Sequence, residues 1–198
     1  MVIAAPALFK SKQDTLPVKS FLQRLLLITD GRITDIIQAY SGETVKAVKL
    51  RHQLTISGSQ FLANSSNSTN LCQNSSRFSP LNSDRQCQLL DRSILLQGSQ
   101  TKTNYLYADS KIVLERLSAD IRDELIFSEQ PIGKLLRENK IETYREILDC
   151  GIEPAGSLGE YFDTKPDAKL IYRTYLVFIA GSPVMQITEK FPTTHFVD

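Results

Sequence analysis

The chain contains few of the residues that build metal centres or disulfide frameworks. Its three cysteines, Cys72, Cys87 and Cys150, are widely spaced, and its two histidines are His52 and His195. None of the five stands at a ligand spacing such as C-x-x-C or H-x-x-x-H, so we expect no zinc or iron site. Three scattered cysteines make a poor disulfide framework, which favours a reducing, cytoplasmic setting.

The chain also lacks the short motifs that bind nucleotides or present a serine nucleophile. It has no G-x-G-x-x-G, no G-x-x-x-x-G-K and no G-x-S-x-G, and the segment GSLG at 156–159 departs from the last of these patterns. We therefore expect any chemistry to proceed without a nucleotide, a metal or a Ser/His nucleophile.

Charged and apolar residues are spread along the chain without long runs of either kind. The 198 residues carry a formal net charge of +1, so we expect no nucleic-acid surface. No apolar run approaches the length that spans a bilayer, and residues 1–14 lack the basic start of a secretory signal. The length suits one domain with a sizeable core.

Hydrophobic periodicity and capping signals predict an α+β fold. Helices are predicted at 16–28, at 30–42 between a cap at Asp30 and a stop at Gly42, at 118–127, and from Pro131. Strands are predicted where apolar residues alternate, at 43–56, 89–97, 105–117, 141–153, 168–180 and 184–191. Strands joined mostly by hairpins favour a single domain, residues 1–198, with an antiparallel β-sheet of about six strands and helices packed on one face.

Two segments are predicted to lie outside the packed core. Residues 57–88 are rich in Ser and Asn and poor in large apolar side chains, which predicts a mobile polar loop or flap. Residues 1–15 are expected to be flexible.

His52 alternates with apolar residues in the first predicted strand. Val48, Leu50, Leu54 and Ile56 share its face if the alternation is unbroken. A hydrogen-bonded core histidine is the preferred interpretation, and a catalytic histidine is the alternative.

Two charged residues share strand faces with apolar neighbours. Arg92 alternates with Ile94 in the second strand, and Glu189 alternates with Met185 and Ile187 in the last. An unpaired ionised group in a core costs on the order of several kcal/mol, so such a group must be paired, neutralised or used. The structural alternatives are that the two pair with each other or that an edge strand exposes both.

The functional alternative is a pocket between the sheet and the helices. Arg92 would present a planar fork that matches a carboxylate. Glu189, as an isolated carboxyl in apolar surroundings, would be protonated or share a proton with a ligand hydroxyl. Together they suit a ligand with a carboxylate at one end and a hydroxyl at the other. From periodicity alone, Ile33 and Ile132 are core residues rather than ligand contacts.

Five segments in a fixed order resemble chorismate pyruvate-lyase, the 4-hydroxybenzoate synthase family, and most of all its cyanobacterial and plastid branch. They are LLLITDGRITDIIQAYSGETVKAVKL, LLDRSILLQG, QPIGKLLREN, YREILDCG and LVFIAGSPVMQITEKFP. The resemblance covers about residues 16–195. Each segment alone is a weak signal, but the five together in this order are fairly specific.

The resemblance implies roles for four residues. The arginine that binds the ring carboxylate falls on Arg92, and the essential glutamate falls on Glu189. A substrate contact after the proline of the P-[LI]-G motif falls on Ile132. A position that is commonly methionine falls on Ile33, which is stiffer at its first torsion and so alters only the fine shape of the pocket.

The resemblance further implies a cofactor-free lyase that eliminates pyruvate from chorismate and releases 4-hydroxybenzoate, for quinone biosynthesis such as that of plastoquinone. Its partners would be this substrate and this product, and the protein would be a monomer. The alternative from another class is a non-catalytic, sensor-like domain of the same fold that binds a small aromatic carboxylate. A third possibility is an interaction protein in which Arg92 and Glu189 form only a buried pair.

Overall fold

The structure of the chain is a computed structural model that describes residues 18, 20–57, 87–127 and 130–197. The predicted flexible segment 1–15 lies outside the described residues. Of the predicted polar loop 57–88, Ser57 ends one strand and Cys87 begins the next, so the loop was predicted slightly too long at both ends. The remainder of that loop, 58–86, also lies outside the described residues.

Six strands form one antiparallel sheet, as predicted. They are β1 (Val45–Ser57), β2 (Cys87–Gly98), β3 (Asn104–Val113), β4 (Tyr144–Pro154), β5 (Lys169–Ile179) and β6 (Ser182–Pro192). Their order across the sheet is β1-β2-β3-β6-β5-β4. β6 therefore lies in the middle of the sheet, between β3 and β5.

Four α-helices are present in the described ranges. They are α1 (Phe21–Ile28), α2 (Ile33–Ser41), α3 (Ala119–Phe127) and α4 (Ile132–Glu138). The predicted stop at Gly42 is confirmed, because this residue has φ +73° in the left-handed region. The predicted cap at Asp30 is wrong: α2 begins later, with Arg32 at its N-cap and no side-chain capping bond. None of these helices combines the length and apolar character that crossing a bilayer requires.

The helices cover one face of the sheet and form two apolar clusters with it. Side chains of α1 and α2, including Leu26 and Ile37, pack with Leu96 and Phe191 in the first cluster. Side chains of α3 and α4 pack in the second cluster. Because both clusters use the alternate strand positions of the same face, the prediction of helices on one face is confirmed.

The opposite face carries a smaller apolar cluster beneath a 3-10 segment, Gly156–Phe162. Phe162 from this segment packs with Leu95 and Leu170 from the sheet. The sequence pattern did not predict this segment, because a single irregular turn has no sustained period.

The first strand corrects the predicted placement of His52. A β-bulge lies between Lys49 and Arg51, so His52, Leu54 and Ile56 do not share a face with Val48 as predicted. His52 and Leu54 lie opposite Arg92 and Leu90, whereas Val48 lies opposite Leu95 on the other face. Leu54 and Ile56 are nevertheless 55% and 66% exposed on this edge strand. His52 is half-buried opposite Arg92 on β2, and is not the core histidine that unbroken alternation predicted.

Candidate active site

A cavity of about 80 Å³ lies between the sheet and the starts of α2 and α4. A cavity that holds a single water molecule needs a volume of roughly 10–15 Å³, so this cavity is larger than a packing defect. Arg92, Glu189, Ile33 and Ile132 all line it. The four residues to which the resemblance assigns site roles, two on strands and two on helices, therefore line one cavity.

Strand register places the two charged residues on neighbouring rows of the sheet. Arg92 is opposite Ser110 on β3, and Glu189 is opposite Arg173 on β5. Since β3 separates β2 from β6, the backbones that carry Arg92 and Glu189 are about 10 Å apart across the sheet. A small ring can thus lie between the two side chains.

Arg92 is a buried cation that has an unused hydrogen-bond donor among the described residues. It is 1% exposed, and its Nη2 donates a hydrogen bond of 2.8 Å to the carbonyl oxygen of Gln130 in the loop before α4. Its Nε is buried and has no hydrogen-bond partner among the described residues. Burial lowers the pKa of Arg92. An anion that accepted from Nε would remove the unfavourable burial of this donor.

Glu189 is held by donors from the neighbouring strand. Nε of Arg173 donates to Oε2 at 2.7 Å, and the hydroxyl of Tyr175 donates to Oε1 at 3.0 Å. The pairing of Arg92 with Glu189, one of the alternatives left open by the sequence, is wrong. Register decides this, since Arg173 is directly opposite Glu189 whereas Arg92 is two strands away. The expectation of wholly apolar surroundings for Glu189 is wrong for the same reason.

Arg173 and Tyr175 are site residues that sequence reasoning did not single out. Arg173 is 1% exposed, donates from Nη1 to the carbonyl oxygen of Thr29 at 2.6 Å, and lies 5.1 Å from the centre of the Tyr175 ring. Burial opposes its charged form, but Glu189 and Tyr175 outweigh burial and raise the pKa of Arg173. Burial, with the charge of Glu189, raises the pKa of Tyr175. The sequence did contain a signal for Arg173, because this charged residue alternates with Ile171 and Tyr175 as Arg92 alternates with Ile94.

Two further arginines line the cavity on the side of the loop before α2. Arg145 on β4 donates from Nη1 to the carbonyl oxygen of Asp30. Arg32 forms an ion pair of 2.5 Å between Nη2 and Oδ2 of Asp35. The loops before α2 and before α4 are thus both bound to the sheet by arginine side chains.

Ile33 and Ile132 are the first residues of their helices, and both line the cavity. The first amide groups of a helix have no acceptor within the helix. In α2 the first amides to bond within the helix are those of Asp35 and Ile36, which donate to the carbonyl of Arg32. At Gly133 no atom lies within 4 Å of where a Cβ would stand, so a ligand can approach the backbone there.

His52 is not among the residues that line this cavity. Burial, followed by the charges of Lys49 and Arg92, lowers the pKa of its imidazole. The neutral form is therefore favoured, and the structure gives this side chain no direct place in the site.

The cavity adjoins a groove of about 490 Å³ between α2, β1 and α4. Arg32, Thr34, Pro131 and Gly133 line both spaces and so mark the passage between them. A ligand could enter or leave by this route.

The cavity thus has a buried arginine on one side and, in the middle, a carboxylate held by Arg173 and Tyr175. The chain belongs to a known family of lyases. Residues 27–196 match the family of Rv2949c-like chorismate pyruvate-lyases.

Relatives named as chorismate pyruvate-lyases resemble the chain in sequence, and a solved structure resembles it in fold. The chain is 25% identical over 182 residues to a chorismate pyruvate-lyase of Mycobacterium leprae, a match that covers 88% of this chain and 76% of the relative. It is 29% identical to the chorismate pyruvate-lyase of Mycobacterium tuberculosis over 56% of each chain. The effector domain of PhnF from Mycobacterium smegmatis has the same fold, with a TM-score of 0.57 at 12% identity over 85% of this chain and 92% of that domain.

Proposed function

We propose that this protein is a chorismate lyase that converts chorismate to 4-hydroxybenzoate and pyruvate without a cofactor. The observation that carries the proposal is the presence of Arg92 and Glu189 in one cavity, on either side of a space suited to a small ring. Family membership supports the same reaction class.

Binding begins at Arg92. The ring carboxylate accepts a hydrogen bond from Nε, the buried donor that has no partner among the described residues. Ile33 and Ile132, at the starts of α2 and α4, line the cavity around the ring. The hydroxyl at C4 of the ring then points to Glu189, which accepts its hydrogen bond. Because Arg173 and Tyr175 already donate to both oxygens of Glu189, this carboxylate serves as an acceptor in the site.

The reaction breaks the bond between C3 of the ring and the ether oxygen, and C4 loses its proton. The new C3–C4 double bond completes the aromatic ring of 4-hydroxybenzoate. The departing enolpyruvate gains a proton at its methylene carbon and becomes pyruvate, so atoms and charges balance. Aromatisation supplies much of the driving force. The tasks left to the protein are orientation of the substrate, electrostatic stabilisation and exclusion of water.

The test is turnover of chorismate by the purified protein, with both products measured. We expect pyruvate and 4-hydroxybenzoate in equal amounts. Glu189→Ala and Arg92→Ala should each lower kcat/KM by about 100-fold or more, since each removes a preorganised charge from the site. Arg51→Ala is the matched control, because Arg51 pairs with Asp109 outside the cavity. Circular dichroism checks that the variants are folded, and wild-type turnover by a folded variant contradicts the role assigned to that residue.

A second candidate is ligand binding without turnover. It is favoured by the fold that the chain shares with an effector domain. Saturable binding of 4-hydroxybenzoate with no pyruvate released from chorismate would select this candidate. Neither binding nor turnover would reject both.

We further propose membership of the cyanobacterial and plastid branch, supply of 4-hydroxybenzoate for quinones such as plastoquinone, a cytoplasmic location and a monomeric state. The motif order of the sequence supports the first two. Its scattered cysteines support the third.

A further inference from the structure

We propose that Arg32, with Arg145 beside it, forms a second anion site that binds the carboxylate of the enolpyruvyl group. The inference rests on the proposed function and deepens it, because chorismate carries two carboxylates whereas 4-hydroxybenzoate carries one. The two sites together would distinguish the substrate from the product.

The charges around the cavity favour a ligand with more than one negative charge. Four guanidinium groups line it, those of Arg32, Arg92, Arg145 and Arg173. Two carboxylates oppose them, Glu189 within the cavity and Asp35 paired with Arg32. Four positive and two negative charges leave two positive charges in one small space, although the whole chain has a net charge of only +1. A dianion neutralises this excess and a monoanion does not.

The arginines lie on two sides of Glu189. Arg92 is on β2, whereas Arg173 and Arg145 are on β5 and β4, beyond β6 in the sheet order. Arg92 donates to the loop before α4, and the other two donate to the loop before α2, in which Arg32 lies. In a ring that is held by its carboxylate at Arg92 and by its C4 hydroxyl at Glu189, the substituent at C3 lies next to C4, at the Glu189 end of the ring. The arginines beyond β6 provide a cationic flank for it.

Arg32 has the donor that such a group needs. Its Nη1 is buried and has no hydrogen-bond partner within the described ranges, while its Nη2 pairs with Asp35. Arg173 is less suitable, since its Nε is bonded to Glu189 and its Nη1 to Thr29. Arg145 has one nitrogen bonded to Asp30 and lines the same cavity.

The position of Arg32 also suits the departure of pyruvate. Arg32 lines both the cavity and the adjoining groove, so a carboxylate bound there stands at the passage to the outside. The same guanidinium can hold the enolpyruvyl group before the ether bond breaks and release pyruvate into the groove afterwards.

The test compares two ligands in one variant, Arg32→Gln. We expect its affinity for chorismate and its kcat/KM to fall about tenfold, the effect of losing one charge-assisted hydrogen bond. The affinity for 4-hydroxybenzoate, measured by calorimetry, should change less than about twofold, because this ligand lacks the second carboxylate. Arg51→Gln is the matched control and should leave both affinities unchanged.

A second variant, Asp35→Asn, tests the site without removing the arginine. It frees Nη2 of Arg32 from its ion pair, so the affinity for chorismate should rise while that for 4-hydroxybenzoate stays the same. The second anion site would be overturned if Arg32→Gln lost affinity for both ligands equally, or if it lost no affinity for chorismate. If wild-type protein releases pyruvate in that case, the proposed function still stands. A wild-type protein that neither binds nor converts chorismate overturns both.

Discussion

At the scale of the residue, the central feature is the buried group of Arg173, Glu189 and Tyr175. The side chains of Arg173 and Glu189 are only 2% and 9% exposed. A buried ion pair is not by itself stabilising, because both charges lose their hydration. It does fix the position of a carboxylate, and here it aims Glu189 into the cavity from the middle of the sheet.

This arrangement predicts that replacing Arg173 alone destabilises the protein more than replacing Arg173 and Glu189 together. Arg173→Met leaves Glu189 buried without its cation and should lower the free energy of unfolding by about 3–5 kcal/mol. Arg173→Met combined with Glu189→Met removes both charges and should recover most of that loss, yet show no turnover. Urea unfolding and the chorismate assay measure the two properties separately.

A double variant as unstable as Arg173→Met would mean that the pair makes a large net contribution to stability. A double variant with wild-type turnover would show that the carboxylate has no part in the reaction. Arg51→Met serves as the control, since its ion pair lies on the surface and exposed pairs contribute little.

At the scale of the element, Glu43 fixes the turn between β2 and β3. Its Oε2 accepts from the amides of Gln100 and Thr101 at 2.7 and 3.1 Å, and its Oε1 accepts from the hydroxyls of Thr101 and Tyr105 at 2.5 and 3.1 Å. The turn is packed so closely that a Cβ at Gly98 would lie 2.2 Å from Oε1 of Glu43. One carboxylate thus joins the connection between α2 and β1 to the hairpin that carries Arg92.

The same contacts predict a pH dependence of stability. The hydrogen bond from Thr101, together with those from Gln100 and Tyr105, outweighs burial and lowers the pKa of Glu43 from 4.5 to about 2. Because the folded pKa is the lower one, the stabilisation is complete above pH 4.5 and is lost as the pH falls through about 2. Urea unfolding of wild type and Glu43→Gln across this range should show a stability difference that narrows towards low pH. A difference that is constant with pH would contradict this account.

At the scale of the whole molecule, the helices divide the core of one sheet face into two apolar clusters. Leu26 of α1 belongs to the first cluster and Leu125 of α3 to the second, and both are fully buried. The charged site lies between the two groups of helices, at the starts of α2 and α4. A ligand in this cavity would contact both groups.

This division predicts additive effects of distant core substitutions. Leu26→Ala and Leu125→Ala should each lower the free energy of unfolding by about 2–5 kcal/mol, because each leaves a cavity. Since the two leucines belong to separate clusters, the double variant should match the sum of the single effects within about 0.5 kcal/mol. Urea unfolding measures all three values, and a larger discrepancy would mean that the two clusters act as one core.

Much of the fold follows from local patterns. Alternation in β6 correctly placed Met185, Ile187 and Glu189 on one buried face, and Gly42 correctly marked the end of α2. The bulge at β1 and the start of α2 were missed. A bulge adds one residue without any local signal in the alternation, and Asp30 is as good a cap by composition as the residues that do cap helices.

The sequence by itself determined the α+β class, the strand faces and the anomaly of charges on apolar faces, because these depend on neighbours along the chain. Only the tertiary structure decided which charged residues form an ion pair. Glu189 is opposite Arg173 rather than Arg92 because β5 pairs with β6 while β3 separates β6 from β2. Such pairing is set by register between distant segments, which no local period encodes.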